Sequence, residues 1–121
     1  MKLSEAQREF ARHISFLIQH MDIAGYECTF GDAYRSPRSH GGMGEKGPYG
    51  RATSAHKQRL AVDLNLFKDG KYLTETADYK TMGDYWKALN NSNVWGGDID
   101  FDNDGFGDDG NHFSRRYGGI A

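Results

Sequence analysis

Residues 59–67, RLAVDLNLF, alternate without interruption: Leu60, Val62, Leu64 and Leu66 share one parity, and Ala61, Asp63, Asn65 and Phe67 share the other. Successive side chains of a strand point to opposite faces, so this pattern predicts a strand whose leucines and valine face a core. Asp63 is then committed to the opposite face. His56 precedes the regular part, where a bend can bring it round to the side of Asp63.

The rest of the chain supplies partners for that strand. Ser4 and Gln7 have the spacing of a capping box, and Phe10, Ile14, Leu17, Ile18 and Met21 recur at three- and four-residue steps, which predicts a helix over about 5–21. His13 and His20 on that helix lie two turns apart, too far to share a metal, and read as surface or partly packed residues. After Gly25 the alternation of Tyr26, Cys28 and Phe30 predicts a short strand. Cys28 is the only cysteine, so it forms no internal disulfide and reads as a buried thiol. Pro37 stops regular structure, and residues 40–54 carry five glycines and a proline, the composition of a loop that walls or covers a binding site.

Beyond the central strand, Asp69 and Gly70 predict a tight hairpin with Tyr72 and Leu73 on the return. A helix is expected to start within 74–78 and to run to about Asn90, with Tyr79, Met82, Tyr85, Trp86 and Leu89 as a core-packing stripe. A last short strand is expected over 111–115. At 121 residues the chain fits one domain. A net charge of -2, with 26% charged and 37% hydrophobic residues, gives no electrostatic reason to expect nucleic acid and argues against disorder. No stretch approaches the apolar length of a membrane span, and the first ten residues lack the apolar run of a secretory signal, so the expectation is a protein made in the cytoplasm.

Three residues carry candidate metal chemistry. Catalytic zinc commonly takes three protein ligands from His and carboxylate and leaves a fourth position for water. His56, Asp63 and His112 can supply such a set, and Asp109 stands at D-x-x-H spacing from the last of them, as a carboxylate able to collect and return a proton. Spacing alone leaves open the alternative of a loop histidine, an exposed strand carboxylate and a packed ring.

The stretch S-x-H-x6-D at Ser54, His56 and Asp63, the D-x-x-H at Asp109 and His112, YRS at 34–36 and WGGD at 95–98 together resemble the zinc D-Ala-D-Ala carboxypeptidase and L-Ala-D-Glu endopeptidase family, with small phage endolysins the most similar group. The resemblance runs from about residue 26 to 117 with the order of motifs intact. It implies a small α+β domain, an antiparallel sheet with helices packed on one face and zinc on the other, occupying 1–121 as a single catalytic unit without a separate cell-wall-binding domain. It implies His56, Asp63 and His112 as zinc ligands, Asp109 as general base, Arg35 as the holder of a substrate carbonyl or carboxylate, and Ser54 as an orienting residue. Trp95 is read as cleft wall or packing. The implied partner is the peptidoglycan stem peptide, cut by a monomer that leaves the host cytoplasm after synthesis, through a holin if phage-encoded. A D-Ala-D-Ala carboxypeptidase or dipeptidase, and a non-catalytic metal-binding module like the metal-bearing domain of hedgehog proteins, are the alternatives.

Two departures from the family pattern stand out. Arg59 occupies the position where the motif has glycine, and an acidic insert, DIDFDNDGFGDD, precedes the third ligand. Within it Asp100, Asp102, Asp104 and Gly105 match the front of an EF-hand loop, with Asp98 or Asp108 as further oxygen donors, although Asn111 stands where a bidentate glutamate is expected. Calcium bound there would order the catalytic segment.

Overall fold

The computed structural model describes residues 1–34, 54–99 and 109–121; Arg35, most of the glycine-rich stretch and residues 100–108, with Asp100, Asp102 and Asp104, lie outside them. The described residues form an α+β unit: two α-helices and an antiparallel sheet in the order β1 (Tyr26–Phe30), β2 (Ala61–Lys68), β5 (His112–Arg115) and β4 (Asn93–Trp95), with β3 (Lys71–Tyr72) also paired to β2.

Helix α1, Leu3–Ile23, buries Ala6, Phe10, Leu17 and Met21. It begins before Ser4, so the expected Ser4 and Gln7 box does not form. The Lys2 backbone N–H instead donates to the Glu5 carboxylate at 3.1 Å, and Gln7 is drawn into tertiary structure, its Nε2 donating to the Gln58 carbonyl at 2.8 Å. His13 meets Trp86 edge-on, and His20 stacks on Tyr85 at 3.9 Å, so both histidines are packing groups. Gly25, at φ 86°, turns the chain into β1, Tyr26–Phe30. Tyr26 and Cys28 are half-buried, but Phe30, at the end of this edge strand, is 68% exposed, so the alternation buries less than the pattern predicts.

Strand β2, Ala61–Lys68, is the centre of the sheet. Leu60, Val62, Leu64 and Leu66 are all buried, as their parity requires, and Asp63, Asn65 and Phe67 occupy the other face half-exposed. Asp69 and Gly70, at φ 53° and 77°, make the hairpin to β3, Lys71–Tyr72; positive φ at both central residues matches the twist of paired strands.

The expected helix after the hairpin is divided in two: a 3-10 turn, Thr76–Tyr79, precedes α2, Lys80–Leu89. The division puts Tyr79 to use. Its hydroxyl accepts the Leu66 backbone N–H at 3.0 Å and donates to the Leu73 carbonyl at 2.7 Å, filling the edge of β2 between β3 and β5. Met82, Gly83 and Trp86 of α2 are buried. Trp86 packs edge-on against Phe10 and Phe113, and its Nε1 donates to the carbonyls of Val94 and Ser114.

Two short strands complete the sheet: β4, Asn93–Trp95, which the sequence pattern did not disclose, and β5, His112–Arg115. Val62, Phe113 and Trp95 are successive cross-strand partners, so they share the face on which Trp86 and Phe10 pack. Asp63 and His112, partners one residue away, share the opposite face. No helix among the described residues is long and apolar enough to cross a membrane.

Replacing Tyr79 by Phe leaves the Leu66 N–H buried without its acceptor. The variant should lose about 1–3 kcal/mol of stability, read as a lower urea midpoint at unchanged slope.

Candidate metal centre

His56 sits on a 3-10 turn, Ala55–Gln58, ahead of β2. Ser54 caps the turn: its Oγ accepts the His56 backbone N–H at 3.2 Å. Arg59 closes it at φ 58° and ψ 34°, the left-handed conformation, so the backbone that a glycine would adopt freely is adopted here by an arginine. Two contacts offset the strain. Leu60 N–H donates to the Ala55 carbonyl at 3.0 Å, and the guanidinium lies over the Tyr34 ring at 4.3 Å.

The buried His56 ring is oriented by the chain beyond β1. Its Nδ1 stands 2.8 Å from the Ala33 carbonyl, which can only accept, so Nδ1 carries the hydrogen and Nε2 presents its lone pair to the site. This is the arrangement by which protein carbonyls fix the tautomer of ligating histidines.

Asp63 and His112 are opposed in the β2 and β5 ladder. Neither gives its backbone N–H to the other: Asp63 donates to Asp32 and His112 to Asp109. Such non-hydrogen-bonded pairs bring side chains closest together. His112 is positioned further by the WGG segment. Trp95 Nε1 donates to the Gly110 carbonyl at 2.6 Å. A Cβ on Gly96 would fall 2.3 Å from the Asp109 carbonyl oxygen, and one on Gly83 would fall 2.2 Å from the Trp95 ring. Trp95 is thus a buried seat for the turn 109–112, and the two glycines let α2 and that turn close on it. The sequence named Trp95 but carried no sign of this role.

The three side chains converge. His56 Nε2 and His112 Nδ1 stand 3.4 and 3.3 Å from the same Asp63 oxygen, and one ligand atom from each residue lies within 4.8 Å of the other two. A tetrahedral zinc at about 2.0–2.1 Å from its ligands spaces them roughly 3.3 Å apart. The donor set and its separations therefore suit a metal ion held by three protein ligands. Burial alone would raise the pKa of Asp63, but the imidazoles of His112 and His56 beside it favour the charged form and hold the carboxyl at about 2 against an ordinary 3.8. The ligand carboxylate is charged throughout the neutral range.

Asp109 lies at the rim. Its Oδ2 is 3.9 Å from His112 Nδ1, the side chain is 41% exposed, and its backbone is left-handed at φ 58°. Asp98 bonds Lys87 at 2.8 Å, so the one described member of the expected calcium set is engaged in an ion pair. No protein-family model matches the chain, and no curated protein matches it.

Two outcomes follow. Zinc at about a thousandfold excess over its Kd should raise the unfolding free energy by about 4 kcal/mol, seen as a higher Tm that a chelator reverses; His112→Ala should abolish the increment. In metal-free protein the folded-state pKa of Asp63 lies below its unfolded value, so its contribution is present above pH 4 and lost as pH falls through about 2. Acid titration of stability should show a decline of roughly 2 kcal/mol in that window, and the decline should be absent in Asp63→Asn.

Proposed function

We propose that the chain is a zinc peptidase of the D-Ala-D-Ala carboxypeptidase and L-Ala-D-Glu endopeptidase family, and that it cuts the L-Ala-D-Glu bond of the bacterial cell-wall stem peptide as an endolysin. The observation that carries the reading is the convergence of His56, Asp63 and His112 on one point with the Asp109 carboxylate beside it. A purely structural site closes its metal with four protein ligands; three ligands and an adjacent carboxylate that is not one of them suit hydrolysis. The ordered motifs from YRS to D-x-x-H supply the substrate class.

Zinc held by His56, Asp63 and His112 would supply a Lewis acid and lower the pKa of water at the fourth position. Asp109 would accept a proton from the attacking water as the water oxygen bonds to the scissile carbonyl carbon. When the carbon–nitrogen bond breaks, the same carboxyl returns the proton to the departing nitrogen, so peptide and water become a carboxylic acid and an amine. The His56 tautomer is fixed by Ala33, so the site keeps its geometry while charge moves. Arg35 is assigned the substrate carbonyl or carboxylate, since a guanidinium offers paired donors to an oxyanion. Calcium at Asp98, Asp100, Asp102 and Asp104 would act by ordering the approach to Asp109.

Incubation of the zinc-loaded protein with purified peptidoglycan, with and without calcium, followed by mass spectrometry of the products, tests the reading. New N-terminal D-glutamyl ends are expected, whereas released D-alanine would assign a carboxypeptidase and intact walls would favour a binding module. Asp109→Asn should retain one equivalent of zinc while hydrolysis falls by about 10²–10⁴-fold.

A further inference from the structure

We propose that a cavity beside Asp109 is the subsite for the residue on the amine side of the bond that is cut, an assignment that rests on the hydrolase reading. The cavity measures about 170 Å³ and is walled by the hairpin return, the 3-10 turn before α2 and the turn 109–112, with Tyr72, Thr74, Thr76, Asp109 and Asn111 on its surface. A space of this size has room for one amino-acid residue.

Its walls are fixed. The Tyr79 hydroxyl both accepts and donates within the fold, so it serves as backing. A Cβ on Gly110 would fall 2.9 Å from Thr76 Cα, so the two turns that frame the cavity are in close contact. Asn111 gives an Nδ2 hydrogen to Asn65 Oδ1 at 3.0 Å, which sets the orientation of its amide and leaves Oδ1 as an acceptor. The hydroxyls of Tyr72, Thr74 and Thr76 add groups that both donate and accept. A lining of hydroxyls and one oriented amide matches the N–H and C=O groups of a peptide rather than an apolar ligand.

The direction of the substrate follows from Asp109. A group that returns a proton to the departing nitrogen must come within hydrogen-bond reach of it. Asp109 belongs both to the cavity wall and to the neighbourhood of His112, so the nitrogen half of the substrate lies on the cavity side.

Zinc-loaded, ¹⁵N-labelled protein titrated with D-glutamyl-L-lysine, the amine-side product, and separately with N-acetyl-L-alanine, the acyl-side product, tests the assignment. The first should give saturable shifts at the amides of Tyr72, Thr74, Thr76 and Asn111, and the second should not. Thr74 is exposed, so Thr74→Trp fills the cavity from the solvent side; it should keep the zinc and the remaining spectrum and weaken the amine-side probe about tenfold or more. Shifts centred elsewhere, or an affinity unchanged in Thr74→Trp, would overturn the assignment. Wall cleavage with shifts elsewhere removes the cavity alone, whereas mapped shifts without any cleavage remove the hydrolase reading and the subsite assignment with it, and leave a dipeptide-binding cavity.

Discussion

The register of β2 against β5 holds the candidate centre together. It sets Asp63 across from His112, and because side chains alternate along a strand, a slip of one residue would pair Asp63 with Phe113 or Asn111 and leave the acid and the imidazole on opposite faces of the sheet. The hydrophobic demand of the core therefore enforces the ligand geometry. With β2 and β5 out of step by one residue, Val62, Leu64 and Leu66 could not be buried on the same face as Phe113; in the observed register they are, and the acid and the imidazole are carried together to the opposite side.

Around this pair the chain adds supports of a different kind. His56 does not lie on a strand, so its direction is set by a left-handed residue, a serine cap and a carbonyl on its ring. His112 lies on a strand, but the turn leading to it is seated on Trp95, with Gly83 and Gly96 allowing close approach. His56 is held by local backbone conformation together with one distant carbonyl, and His112 by tertiary packing. The different means reflect chain order: His56 enters the sheet and needs a bend, while His112 continues into a strand already fixed by its neighbours.

Much of this was legible in the sequence, for reasons specific to each part. The alternation from Leu60 to Phe67 encodes both strand and faces, and Asp69 with Gly70 encodes the hairpin, because each depends on residues adjacent in the chain. His56, Asp63 and His112 could be grouped from motif order, and the fold brings them together. What stayed hidden depends on distant partners. β4 has three residues, too few for a period, and becomes a strand by pairing with β5. The early start of α1 turns on Glu5 reaching the Lys2 N–H, and the break before α2 turns on Tyr79 completing the edge of β2. Arg59 was visible as a departure, but that it would adopt the left-handed backbone itself was not.

The bond from His56 to the Ala33 carbonyl joins two points that are far apart in sequence and adjacent in space. Both borders of the intervening stretch are thereby fastened to the ligand set, one through the carbonyl that orients the ring and the other through the Ser54 cap. Lengthening a segment whose ends are already pinned adds little closure entropy. Changes of length between these two borders therefore leave the orientation of His56 to contacts that lie outside the stretch itself.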